Sequence, residues 1–173
     1  NGLAVIDGRY HVFFQYNPDA PVHAHICWGH VSSTDLVRWR QEPIALAPRA
    51  GGPDEAGCYS GCLVDDEGTP TAVYTAITRT RYTGVVLATS DRTAVSWVQE
   101  ESVLAHSDLP RGIGIRDPYV FTFDGHRYAV QGGGETHGTP RIFLYGCNDL
   151  RDWTFLGDLL TFEDLVAAEY ADC

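Results

Sequence analysis

At 173 residues, with 44% hydrophobic and 12% aromatic content, the chain has the side chains for a sizeable core. A formal net charge of −11, with 12 scattered basic residues, argues against a nucleic-acid or anionic-membrane partner, either of which needs clustered Lys and Arg. No apolar run approaches a transmembrane span, and the opening NGLAVIDGRY lacks the charged start and long apolar stretch of a secretory signal.

Taken in order, the chain reads as short strands separated by turn signals, with almost no helical periodicity. A first strand, LAVI, runs into Asp7-Gly8, a strong hairpin signal, and is followed by YHVFFQY, which places Gln15 at its end and stops at Asn17-Pro18. A loop carrying His23 and His25 leads to a strand that starts at Cys27-Trp28-Gly29-His30, and the polar turn STDLVRW then delivers Trp39. The stretch from Pro43 to Gly57 is rich in Pro, Ala and Gly and reads as a connection between units. Next comes Gly57-Cys58-Tyr59-Ser60-Gly61. It is either a glycine-rich bulge at a strand start or a place where backbone, Tyr and Ser approach a ligand.

The outline then repeats. Glu67-Gly68, TAVYTAIT, YTGVVLATS and the turn SDRTAVSW lead to Trp97; Asp124-Gly125, RYAVQGG, RIFLYG and NDLRDW lead to Trp153. A period of roughly 57 residues written in strands and turns predicts propeller blades of four antiparallel strands each. The expected blades are 1–50, 51–108 and 109–173, with Trp39, Trp97 and Trp153 packed in the blade core. Three blades are part of a ring, since closure is what removes exposed strand edges. The chain opens on Asn1 and has no methionine, so its natural N-terminus is expected upstream and export is left open.

Three further features have two readings each. The five cysteines include one close pair, Cys58 and Cys62, which strict alternation would put on one face; small buried side chains are favoured over a zinc site. The reduced thiols favour a cytoplasmic protein. His23, His25 and His30 invite a metal reading, but no carboxylate stands at a fitting offset, so no metal and no cofactor is expected. Arg116-Asp117-Pro118 sets an adjacent ion pair just before a strand. It is either structural or a site where Pro118 holds Asp117 extended so that its carboxylate accepts paired hydrogen bonds from sugar hydroxyls.

Taken together and in order, NGL, DGRYHVFFQYNP, CWGHVSSTDLVRW, CYSG, RDPYVF and LYGCNDLRDWTFLG resemble the successive signature stretches of glycoside hydrolase family 32, across essentially the whole chain. The resemblance implies an all-β, five-bladed propeller with a central active site, usually followed by a β-sandwich domain that this chain lacks. It implies retaining hydrolysis of β-fructofuranosides such as sucrose by a carboxylate nucleophile and a carboxylic acid/base. By resemblance, Asp117 is the third acidic residue, which binds fructosyl hydroxyls and stabilises the transition state, with Arg116 beside it. Asn1-Gly2 matches the end of the N-D-P-N-G nucleophile turn, so the nucleophile is expected two residues before Asn1. Glu169 of Glu169-Tyr170-Ala171-Asp172 is a candidate acid/base that lacks the family's Cys-Pro, so the true one is also sought beyond Cys173. Gln15, Trp28, Tyr59 and Ser60 match sugar-contacting positions, Tyr59 standing where the family has Phe and Trp28 offering an indole face to a furanose ring. Propeller glycosidases of the arabinosidase or xylosidase type, and a non-catalytic carbohydrate-binding propeller, are the alternatives.

Overall fold

The computed structural model of the chain describes residues 1–80, 83–105, 109, 112–135, 138–161 and 163. Twelve strands among them form three antiparallel sheets of four. The first holds β1 (Gly2–Ile6), β2 (Arg9–Tyr16), β3 (Cys27–Ser33) and β4 (Arg40–Gln41). The second holds β5 (Gly57–Asp66), β6 (Thr69–Ile77), β7 (Thr83–Ser90) and β8 (Trp97–Leu104), and the third holds β9 (Ile113–Phe123), β10 (His126–Glu135), β11 (Pro140–Gly146) and β12 (Thr154–Thr161). In each sheet the strands lie side by side in chain order, and β5 packs against both β1 and β9. The all-β propeller architecture expected from the repeat is what the chain adopts, as three blades side by side.

The first hairpin of every sheet turns on the same chemistry. Asp7-Gly8, Glu67-Gly68 and Asp124-Gly125 each have positive φ at both positions (48° and 76°, 52° and 90°, 50° and 75°). That is what a two-residue hairpin needs if its twist is to match the strands, and Gly at the second position supplies it without steric cost.

Two apolar clusters hold the sheets face to face. Phe13, Trp28 and Leu46 of the first unit meet Ala72, Tyr74, Val86 and Ala88 of the second; Cys62, Val73, Val85 and Leu87 of the second meet Ile115, Ala129, Phe143 and Tyr145 of the third. The middle sheet is therefore covered on both sides, so β6 is buried over Pro70–Ile77, the hydroxyl residues Thr71 and Thr75 included. Burying a side chain the size of Leu87 or Val73 stabilises the fold by roughly 1.5 to 3 kcal/mol.

β5 and β9 each carry a bulge. Between the pairs Cys58↔Ala76 and Gly61↔Tyr74, two residues of β5, Tyr59 and Ser60, oppose one of β6, Thr75. Between Arg116↔Gly132 and Tyr119↔Val130, Asp117 and Pro118 oppose Gln131. The extra residue shifts the side-chain alternation by one. Cys58 consequently faces the first sheet and Cys62 the third, which corrects the expectation that both lie on one face. Gly61 closes the first bulge where a Cβ would come 2.0 Å from the Val73 carbonyl oxygen, so no larger residue fits there.

The three tryptophans do not share one environment. Trp97 meets Phe13 edge-on at 5.5 Å, and Trp153 packs on Tyr145 at 5.6 Å. Their indoles donate to the carbonyls of Ala94 and Leu150, each three residues upstream. Trp39, expected in the blade core, is 42% exposed. The side chains of Ser33 and Asp35 capture the N–H groups of Leu36, Val37 and Arg38 and turn this segment outward, and the two-residue β4 begins only after the Trp. The segment 162–173, with the candidate Glu169 and the expected helix, lies outside the described residues apart from Glu163.

Candidate active site

The residues singled out from the sequence lie toward one end of the sheets, where the bulges of β5 and β9 carry Tyr59, Ser60 and Asp117. Ser60 is at the centre of a polar network. Gln15 at the end of β2 donates from Nε2 to Ser60 Oγ at 2.7 Å. With the Asn1 amide oriented to satisfy its neighbours, Asn1 Nδ2 donates to Ser60 Oγ at 3.3 Å, and its Oδ1 accepts from the Gln15 backbone N–H at 3.1 Å and from Trp28 Nε1 at 3.2 Å. Trp28 Nε1 also donates to the Tyr59 carbonyl at 2.8 Å. Asn1, Gln15, Trp28, Tyr59 and Ser60 are thus joined by direct hydrogen bonds across the first two sheets.

Trp28 does not offer a ring face to a sugar. It is fully buried, with Phe13 on one side at 6.0 Å and Tyr74 on the other at 5.9 Å, because β3 lies inside its sheet and carries this side chain into the contact with the second sheet. Its contribution is the indole N–H, which ties the Tyr59 carbonyl and Asn1 together from beneath.

Arg116 and Asp117 form the other half of the site. Arg116 Nε donates to Asp117 Oδ2 at 2.9 Å, and the two side chains are 64% and 45% exposed, so the pair stands at a surface and not in the core. Asp117 is not extended as the Pro118 argument predicted: its φ is 57°, in the left-handed region that non-glycine residues seldom adopt. The bulge explains the difference, because a residue left out of the ladder takes its conformation from local anchors instead of from strand pairing. One anchor is Thr75, whose Oγ1 accepts the Asp117 N–H at 2.7 Å. Tyr59, Thr75, Arg116, Asp117 and Glu135 face one cavity of about 550 Å3, walled on one side by Gly132–Gly134. Gln15 opens instead onto a smaller recess of about 390 Å3 with Asn17 and His23. The His23 ring meets the Tyr59 ring edge-on at 5.1 Å and separates the two.

Thr75 was missed in the sequence reading, although a signal for it exists. Gln15 follows Asp7 at the same interval at which Thr75 follows Glu67, and each reaches the bulged inner strand of the next sheet. The repeat alone therefore marks Thr75 once Gln15 is marked. Gly132 stands at that interval after Asp124 and has no side chain to do likewise.

Chemically the site combines a half-exposed carboxylate, a guanidinium on one of its oxygens, and a set of neutral amide and hydroxyl groups. Such a set has the chemistry to meet a polyhydroxylated ligand, since amides and hydroxyls can donate and accept while a carboxylate takes two vicinal hydroxyls. Among the described residues, no group of three or more His, Cys, Asp or Glu is placed to hold a metal ion.

A model of the glycosyl hydrolases family 32 N-terminal domain matches residues 1–172. The chain belongs to glycosyl hydrolase family 32. Among its relatives in that family, it is 38% identical to the sucrose-6-phosphate hydrolase of Klebsiella pneumoniae, over 92% of this chain and 34% of the relative. It is 35% identical to the raffinose invertase of Escherichia coli, over 88% and 33%. The structure of sucrose-6-phosphate hydrolase from Lactobacillus gasseri superposes with a TM-score of 0.82 at 30% identity, covering 92% of this chain and 33% of that one. The chain spans about a third of the length of these family 32 relatives.

Proposed function

We propose that the full-length protein carrying this chain is a β-fructofuranosidase that hydrolyses sucrose or sucrose 6-phosphate with retention, through a fructosyl-enzyme intermediate. The observation that carries this reading is the Asp117 carboxylate. One oxygen is held by Arg116, and the side chain borders a cavity that also takes in Tyr59, Thr75, Thr139 and a second carboxylate, Glu135, as expected of a residue that grips neighbouring fructosyl hydroxyls. The family 32 relatives, a sucrose-6-phosphate hydrolase and an invertase, support the substrate class.

In this reading Asp117 is the third carboxylate beside a nucleophile and an acid/base, and it acts by charge. An oxocarbenium-like transition state puts positive charge on the fructosyl ring, and hydrogen bonds from ring hydroxyls to a fixed anion strengthen as that charge develops. Arg116 sets a guanidinium against one oxygen of that carboxylate. Gln15, Asn1 and Ser60 brace, through their hydrogen bonds, the bulge from which Tyr59 lines the same cavity. The buried thiols of Cys27, Cys58, Cys62 and Cys147 support a cytoplasmic location.

The test is fructose release from sucrose and from sucrose 6-phosphate by the full-length gene product, with the anomer of the first-formed fructose followed by NMR. Replacing Asp117 by Asn should lower kcat by roughly 100-fold or more, the scale on which losing one transition-state contact acts. Near-normal turnover in that variant would remove Asp117 from the chemistry, and inversion at the anomeric carbon would remove the covalent intermediate.

A further inference from the structure

We propose that Thr75 is a positioning residue for Asp117, setting from the neighbouring sheet the backbone conformation that aims the carboxylate. Its importance to catalysis rests on the fructosidase reading above; its role in holding Asp117 does not.

β9 and β10 pair at Arg116↔Gly132 and at Tyr119↔Val130, so the two residues between, Asp117 and Pro118, lie outside the pairing. Pro118 has no N–H, and the Asp117 N–H must find an acceptor elsewhere. Thr75 Oγ1 supplies it at 2.7 Å. Thr75 is 1% exposed on a strand buried along most of its length, so little water reaches the hydroxyl to compete. As a β-branched residue it holds one χ1 well more firmly than Ser would, which fixes where the oxygen stands.

The conformation held is an unfavoured one. Asp117 sits at φ 57°, and Pro118 restricts it from the other side. An aspartate freed from its anchor moves back toward ordinary φ and swings the Cα–Cβ bond, which carries the carboxylate away from its present place in the cavity. The ion pair with Arg116 does not prevent this, because both partners are exposed and lie on the same strand, so they move together. Thr75 belongs to another sheet and is held by pairs on both sides, Tyr74 with Val86 and Ala76 with Gly84, so it is the fixed point.

A comparison within the chain supports the assignment. The residue equivalent to Thr75 in the first sheet is Gln15, and it too reaches across to a bulge of the next inner strand, where it donates to Ser60 Oγ at 2.7 Å. Two successive blades therefore secure the irregular part of the next inner strand from the same repeat position, by different chemistry.

The experiment compares Thr75→Val, which keeps shape and removes the acceptor, with Thr75→Ser, which keeps the acceptor, in the full-length protein. Amide hydrogen exchange at Asp117 is read by NMR together with fructose-releasing kinetics. In Thr75→Val, exchange at Asp117 should accelerate by at least about 30-fold while amides of β6 remain protected, and kcat should fall by roughly 10- to 100-fold with KM changing by less than about 3-fold. Thr75→Ser should restore both to within about 3-fold of wild type. An Asp117 amide as protected in Thr75→Val as in wild type overturns the proposal, as does a kinetic loss that Ser does not relieve. If the wild-type protein releases no fructose from any fructoside, the fructosidase reading falls while the exchange measurement still decides the role of Thr75.

Discussion

Acidification should weaken the contact between the first two blades through one buried imidazole. His30 on β3 is 1% exposed, stacks on Phe13 at 4.2 Å and shares a 2.9 Å hydrogen bond, through Nε2, with His11 Nδ1. Burial, with the second imidazole beside it, pushes its pKa from an ordinary 6.5 down to about 4, against the opposing pull of the Glu42 carboxylate. His11 is shifted the same way by burial and by Arg9. A group whose folded pKa is depressed binds its proton more readily in the unfolded chain, so stability is fully present above pH 6.5 and is lost as pH falls toward 4. At 1.36 kcal/mol per unit, His30 alone should cost about 2 kcal/mol between pH 7 and pH 5, and about 3 kcal/mol by pH 4. Urea unfolding at pH 7, 6 and 5 measures this, with His30→Phe as the control that keeps a ring against Phe13 and removes the titration. The variant should start less stable at pH 7, with His11 deprived of its partner, but should lose about 2 kcal/mol less than wild type on going to pH 5. Parallel pH dependences in the two proteins would show that His30 does not carry the proton linkage.

Two further substitutions probe buried polar groups with opposite expectations. Asp54, fully buried in the connection before β5, accepts from Tyr74 at 2.6 Å, Gln99 at 2.7 Å and Arg49 at 3.0 Å. Asp54→Ala leaves the Tyr74 hydroxyl and Arg49 Nε without this acceptor, while Gln99 keeps the Ala47 carbonyl, and should lower unfolding stability by roughly 3 to 5 kcal/mol; a loss below about 1 kcal/mol in chemical denaturation would mean the hub is replaceable by water. Gln131 is 1% exposed, and among the described residues neither its amide oxygen nor its nitrogen has a hydrogen-bond partner. Gln131→Leu removes two unsatisfied groups at similar volume and should raise stability by about 1 kcal/mol or more, so a lower melting temperature would show that the amide is partnered in solution.

The sheets were legible in the sequence because each repeat states its own geometry. An acidic residue and Gly mark the first hairpin, apolar runs mark the strands, and the Asp- and Ser-rich turns mark the last connection, each acting through contacts within a few residues. The site was legible as a set of residues and less so as an arrangement. Gln15, Tyr59, Ser60, Arg116 and Asp117 can be picked out by the motifs that resemble family 32, yet which of them touch depends on how neighbouring sheets stack. Trp28 shows the limit. The family resemblance implies a ligand-facing ring, but whether an indole points to a cavity or into an inter-sheet core is decided by residues beyond its own strand, among them Tyr74 of the next blade.

The bulges account for most of what alternation could not foresee. A strand read at strict period two puts Cys58 and Cys62 on one face and makes the residue before Pro118 extended, and both inferences fail for the same reason. One extra residue in β5 reverses the faces on either side of Tyr59-Ser60, and one in β9 takes Asp117 out of the ladder. Without that extra residue the Asp117 N–H would be a ladder donor and its side chain would alternate into a sheet face, where an ionised carboxylate would require a buried partner. With it, the carboxylate stands at the strand mouth at 45% exposure, free to meet a polar ligand, while its backbone is tied to Thr75 in the adjoining sheet. The irregularity that defeats the period-two reading is thus the device that converts a structural strand into one that presents a charge.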